Sequence, residues 1–272
     1  TLAFIGGGNM AASLIGGLLK AGHPAARIHV AEPLPARAEL LRQQFGVHTG
    51  ATAAEVVISA EVVILAVKPQ QMREALHGLT LSTGTTVISI AAGVPLSLLR
   101  AWVGTGVHLV RTMPNTPALL GAGITGLYAD ASVPADARER ADYCLRAAGR
   151  CVWLDTEDQL DAVTAVSGSG PAYFFRLTET IRAAGVQLGL SPEVAAELAL
   201  QTFIGAARMA EDARAQQIDV AQLRQNVTSK GGTTEAALQH LDSAGLDLMF
   251  ADALRAAALR SRELGEQLAR TS

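Results

Sequence analysis

The chain of 272 residues contains only two cysteines, Cys144 and Cys151. Two thiols build no disulfide framework, and no second pair stands ready for zinc, so both read as small buried hydrophobes. The six histidines are scattered without ligand-like spacing, and no metal site is expected. Charged residues make up 17% and the net charge is −3. No global positive field therefore recruits nucleic acid, and an acidic metabolite has to be caught by local donors. Lysine occurs only as Lys20, Lys68 and Lys230.

Uninterrupted apolar runs are also wanting. Leu79–Leu99 is uncharged but broken by Gly84, Gly93 and Pro95; Thr112–Ala129 is uncharged but holds Pro114, Pro117, Gly121, Gly123 and Gly126. A spanning helix needs about 20 mostly apolar residues with every backbone group paired. Both stretches read instead as buried strands joined by tight loops, and no membrane partner is expected. The first residues run straight into Leu2–Ile5 with no basic stretch or cleavage site, which implies a cytoplasmic protein.

Apolar residues, by contrast, reach 49%. That proportion excludes a mainly disordered chain, and the length suits two domains. Residues 1–162 alternate short apolar runs with amphipathic segments. Strands are predicted at Leu2–Ile5, Ile28–Ala31, Val62–Val67, Thr86–Ile90 and Val107–Val110, and helices at Met10–Ala21, Pro35–Phe45 and Pro69–Leu76. Val62–Val67 is continuously apolar, the mark of a strand covered on both faces. Such alternation implies an α/β, doubly wound, mostly parallel sheet. From 163 to 272 the strand signals stop. Ser169 with Pro171 predicts a capped helix to about Ala184, Ser191-Pro192-Glu193 another to about Arg214, and a third runs from Leu246 to about Leu268. This all-α half is rich in Ala and Gly and would dimerise through its apolar surface.

The segment Ile5-Gly6-Gly7-Gly8-Asn9-Met10-Ala11 follows a strand and opens a helix. Gly6 allows the sharp turn, Gly8 lets the backbone approach a pyrophosphate, and the helix start directs free N–H groups at that anion. Glu32, ending the second strand, suits a ribose 2′-hydroxyl and hence NADH; Arg37 nearby could take a 2′-phosphate instead. The choice stays open here. Ala66-Val67-Lys68-Pro69, Ala91-Ala92-Gly93 and Met113-Pro114-Asn115-Thr116-Pro117 each leave a strand at its C-terminal end, where open α/β sheets bind ligands. Lys68 therefore faces the cleft, the small Ala91–Gly93 side chains admit a flat ring, and two prolines stiffen the loop carrying Asn115 and Thr116.

Thr228, Ser229, Gly231, Gly232, Thr233 and Thr234 gather hydroxyls and bare amides ahead of a helix, an anion nest suited to a carboxylate. Ser167 and Ser169 tempt a serine-nucleophile reading, but no His and acid accompany them.

Ile5–Met10, Ala66–Pro69, Met113–Pro117, Asp161–Tyr173 and Val227–Thr234 occur in this order in pyrroline-5-carboxylate reductases, which the chain resembles over nearly its whole length. The resemblance implies a Rossmann domain, then a helical domain interlocked with a partner's, and dimers assembled into rings of five. It implies reduction of L-1-pyrroline-5-carboxylate to L-proline with NADPH, NADH being the alternative. Substrate would sit near Asn226–Thr234 in a cleft completed across the dimer. Thr234 would bond the ring nitrogen, and Ser229 with the N–H groups of Gly232 and Thr233 would hold the carboxylate. Two departures touch the adenosine end: Ala53 stands where family members often have Asn, and Glu32 where many have Ser or Asp. Two rival readings remain. A β-hydroxyacid dehydrogenase would carry a lysine in the helix after the cofactor domain, and Pro171–Gly189 has none. A non-catalytic dinucleotide-binding regulator would not need the Ser229–Thr234 nest.

Overall fold

A computed structural model of the chain describes residues 1–271. It separates into two compact units: Thr1–Ser169 together with the chain from Arg255 onward, and Gly170–Leu254. The first unit runs β1 (Leu2–Ile5), α1 (Asn9–Lys20), β2 (Ile28–Ala31), α2 (Pro35–Phe45), β3 (His48–Gly50), α3 (Ala53–Val56) and β4 (Val62–Leu65). It continues with α4 (Met72–Leu76), β5 (Thr86–Ser89), α5 (Leu96–Val103), β6 (His108–Met113), β7 (Gly123–Tyr128), α6 (Ala135–Arg146), β8 (Gly149–Trp153) and α7 (Gln159–Val163). The strands form one sheet in the order β3-β2-β1-β4-β5-β6-β7-β8, and every neighbouring pair is parallel except β6–β7. This is the doubly wound sheet that the alternation implies.

Successive residues of a strand point to opposite faces, and both faces are covered here. Leu2 and Phe4 of β1, Val62 and Ile64 of β4, and Ile88 of β5 enter one core cluster with Leu14, Ile15 and Leu18 of α1. Ala3, Ile5, Val63, Leu65 and Val87 enter the other, with Met72, Leu76 and Leu99. Helix α1 supplies its share because Ala11, Leu14, Ile15 and Leu18, all buried, fall at the spacing of one helix face. Its Gly17 packs so closely on the end of α6 that a Cβ there would lie 1.9 Å from the Ala147 carbonyl oxygen.

Several elements differ from the sequence expectation. β4 ends at Leu65 and β5 at Ser89; Ala66 and Ile90 each make one more bond to the neighbouring strand, to the Ile5 and Leu65 carbonyls, before the chain enters its loop. β6 outlasts its apolar run, reaching Met113, since its polar residues find buried partners. Arg111 donates to Glu157 Oε1 at 2.7 Å and the Thr112 hydroxyl to the Ser89 carbonyl at 2.9 Å. β3, β7 and β8 carry no continuous apolar run to announce them; β3 is only His48-Thr49-Gly50.

The second unit comprises α8 (Gly170–Gln187), α9 (Pro192–Ala215), α10 (Val220–Asn226), α11 (Thr233–Ser243) and the opening part of α12 (Leu246–Thr271). Ser191 caps α9 as its sequence implies, its hydroxyl accepting the Val194 N–H at 3.3 Å. Ser169 does not behave as a cap. A π-turn at Thr164–Gly168 precedes it, its own backbone is helical (φ −84°, ψ −19°), and its N–H reaches the Thr164 carbonyl at 2.8 Å. Helices α8 and α9 pack through Gly185 against Ala195, with Phe174 and Phe203 stacked at 5.9 Å. Among the described residues of this unit, the buried hydrophobics are Ala195, Ala199 and Ala213, whereas Phe174, Phe175, Leu198, Met209 and Leu248 are all exposed. No helix among the described residues is long and apolar enough to cross a membrane.

Replacing Gly17 by Ala should show how tightly α1 is seated. The methyl gains helix propensity but forces two backbones apart, and the balance is a loss of about 2–3 kcal/mol and of about 5–10 °C in Tm. A thermal unfolding curve that is unchanged or shifted upward would contradict the packing.

Candidate functional site

Strand β1 lies between β2 and β4, so the sheet order reverses there and the chain must leave β1 into the crevice beside it. Gly6 makes that exit with φ +99°, and a Cβ on it would sit 2.8 Å from the Ala66 carbonyl oxygen. Gly8 faces open space, its nearest neighbour being Ala66 O at 3.9 Å from a built Cβ. As the N-cap of α1 it has no side chain to satisfy the first-turn amides, leaving them for an anion. Gly7 is confined by Leu41 and Glu32. Gly6 and Gly8 thus fit a pyrophosphate lying across the loop, while Gly7 packs on Glu32 and Leu41.

The Glu32 carboxylate is buried beneath this loop. It accepts the Gly7 N–H at 3.2 Å and the Leu34 N–H at 3.0 Å. Arg37 crosses above, donating to the Gly7 carbonyl at 2.7 Å and the Asn9 side chain at 3.0 Å, with its Nε 3.9 Å from Glu32. The two residues between which the sequence leaves dinucleotide choice open therefore act together as a brace. A cleft of about 820 Å³ opens here, lined by Ile5–Gly8, Glu32, Arg37 and Ala66–Lys68, a volume suited to a cofactor. Ala53 and the β3–α3 loop also line it. Sequence reasoning placed Ala53 only through the family resemblance, since β3 is too short to signal the loop. Asn9, Met10, Pro69, Ala91, Ala92, Gly93, Asn115 and Thr116 are not among its lining residues.

Those remaining residues are held by the neighbouring strand ends. The Ala91–Gly93 loop is tied at one end by Ser89, which accepts from Ala91, and at the other by the Leu96 N–H on Glu157 at 2.8 Å. Ala91 and Gly93 are buried and Ala92 exposed. Asn115 is buried with both ends of its amide engaged, donating to the Ser167 carbonyl at 3.1 Å and accepting the Ile124 N–H at 3.0 Å. It locks the π-turn rather than offering a free side chain. Thr116 next to it is exposed.

The loop before α11 is a turn built on glycine. The Thr228 hydroxyl is committed to the Arg224 carbonyl at 2.7 Å. The Gly232 N–H donates to Ser229 O at 3.0 Å, and the Gly231 N–H to Glu235 Oε2 at 2.6 Å. Gly232, an expected carboxylate donor, is thus already engaged within the turn. Among the described residues, no hydrogen bond engages the Ser229 hydroxyl or the N–H groups of Thr233 and Thr234, the first two residues of α11. The sequence pattern identifies the loop; the fold selects these three as its free donors. Elsewhere, burial pushes the Cys144 and Cys151 thiols up to about 12, which removes them as nucleophiles.

Residues 157–264 match the family described as pyrroline-5-carboxylate reductase dimerisation, and residues 1–93 match NADP oxidoreductase coenzyme F420-dependent. The chain is 49% identical to a pyrroline-5-carboxylate reductase of Pseudomonas aeruginosa over 98% of this chain and 97% of that one. Among solved structures, a pyrroline-5-carboxylate reductase from Coxiella burnetii superposes with a TM-score of 0.88 at 41% identity, covering 97% of both chains. The Plasmodium falciparum pyrroline carboxylate reductase with NADP bound does so with a TM-score of 0.81 at 27% identity, over 97% of this chain and 98% of that one.

Gly6→Ala strains a left-handed residue against a backbone carbonyl, so dinucleotide affinity should fall at least about tenfold with the far-UV circular dichroism retained. Titration giving the parental dissociation constant would count against the glycine loop as the phosphate seat. Cys144 is buried, so iodoacetamide at pH 8 should leave it unlabelled in the native protein. Rapid alkylation of Cys144 in the folded protein would contradict its burial.

Proposed function

The chain belongs to the pyrroline-5-carboxylate reductase family, and we propose that it reduces L-1-pyrroline-5-carboxylate to L-proline with NADPH, the last step of proline synthesis. The single observation that carries this reading is the likeness across both halves at nearly full length. The dinucleotide, when bound, supplies a hydride to the carbon of the substrate's C=N bond. Gly6–Gly8 and the first turn of α1 hold its pyrophosphate, while Glu32 and Arg37 keep that loop in shape. Lys68, Ala91–Gly93 and the Asn115–Thr116 loop would border the nicotinamide half at the strand ends, with Asn115 acting by fixing the turn.

The substrate carboxylate is assigned to the Ser229 hydroxyl and the Thr233 and Thr234 amides, a donor set at a helix N-terminus suited to an anion. The Thr234 hydroxyl hydrogen-bonds the ring nitrogen. Reduction of a ketone builds an alkoxide that demands a strong acid close by; an imine nitrogen that arrives protonated asks only for a hydroxyl. The absence of a histidine from residues 226–234 is consistent with that lighter requirement. A β-hydroxyacid dehydrogenase or a mute regulator would have no use for this loop.

Residues 1–162 are assigned to dinucleotide binding and 163–272 to substrate binding and self-association. The chain self-associates, as its dimerisation family and the exposed Phe174, Phe175 and Leu248 imply. We assign it a homodimer, five of which close into a ring, working in the cytoplasm.

Purified protein with pyrroline-5-carboxylate should oxidise NADPH, followed at 340 nm, with a higher kcat/KM than for NADH. Thr234→Ala should lower kcat by about a hundredfold or more, the scale of a lost proton donor, with the KM for NADPH within about twofold. Undiminished turnover in that variant would remove Thr234 from the chemistry.

A further inference from the structure

Two successive glycines, Gly231 and Gly232, form the turn ahead of α11, and Gly231 sits at φ +71°. Glycine pairs lose the most freedom on ordering, so such a turn is floppy unless something holds it. One internal bond, Gly232 N–H to Ser229 O, is not enough to fix the N–H of Gly231 as well. That second amide is held by Glu235, whose carboxylate reaches back from the first turn of α11 at 2.6 Å. The placement is doubly favourable, because an acidic side chain three residues past the N-cap also meets the positive end of the helix.

The chain uses the same device elsewhere. Glu32 ties Gly7 and Leu34, Glu55 ties Ala51 and Thr52, and Glu157 ties Leu96 and Arg111. In each case a carboxylate accepts a backbone amide at or just before a helix start.

We propose that Glu235 is a positioning residue for the substrate. By accepting the Gly231 N–H it fixes the turn, so the Ser229 hydroxyl and the Thr233 and Thr234 amides stand ready for the carboxylate. This rests on residues 226–234 being the substrate loop. The negative charge of Glu235 itself opposes an incoming carboxylate; its value to binding lies in the acceptor oxygen, and the two effects separate by substitution. Glu235→Ala removes both the charge and the brace. Glu235→Gln removes the charge but keeps an oxygen that accepts the same amide.

Steady-state kinetics of the full-length protein should show the KM for pyrroline-5-carboxylate rising about tenfold in Glu235→Ala, the scale of one lost hydrogen bond. In Glu235→Gln it should stay at or below the parental value. In both variants NADPH affinity, read by fluorescence without substrate, should match the parent and report an intact fold. A parental KM in Glu235→Ala, or an equal rise in both variants, overturns the brace while leaving the family reaction standing. A parent protein that does not oxidise NADPH with this substrate overturns the functional reading and this inference together.

Discussion

The route by which the chain leaves strand β1 constrains most of what the first unit does. β1 is hydrogen-bonded on both edges and buried on both faces, so it cannot shift to accommodate a wider turn. The Gly6 exit therefore has to pass within contact distance of the Ala66 carbonyl, and only a residue without Cβ fits. From that turn follow the open face at Gly8, the uncapped start of α1 and the anion seat between them. Glu32 and Arg37 then hold the loop from below and above.

The second unit obeys the opposite constraint. Its helices bring small residues together, but the hydrophobic side chains that burial would reward at about 25 cal/mol per Å² stay in solvent in a single chain. Three buried alanines are a poor core for 85 residues, Gly170 through Leu254. Such a unit acquires its stability by covering that surface with another copy, so self-association follows from the same burial pattern that makes it α-helical.

A third regularity concerns charge. Several of its carboxylates pair with arginines, but Glu32, Glu55, Glu157 and Glu235 accept backbone amides at the loops that lead into helices. Each of these bonds ties a loop amide to a side chain of a neighbouring element, so the strand ends and the turn before α11 are held by more than their own backbone.

The sequence by itself determined the class of both halves. Continuous apolar runs such as Val62–Val67 demand burial on both faces, Gly6–Gly8 between a strand and a helix has few other uses, and Ser191-Pro192 marks a helix start by local hydrogen bonding alone. The turn ahead of α11 was legible for the same reason, since glycines and hydroxyls in succession mark a helix start. Tertiary structure alone decided the rest. β3, β7 and β8 exist because a neighbouring strand offers hydrogen bonds, not because their side chains are apolar. Asn115 reads as a ligand group in sequence but is taken by Ser167 and Ile124, partners 52 and 9 residues away. Which donors of the turn before α11 stay free, and that Glu235 takes the Gly231 amide, depends on a backbone turn whose geometry no residue pattern specifies.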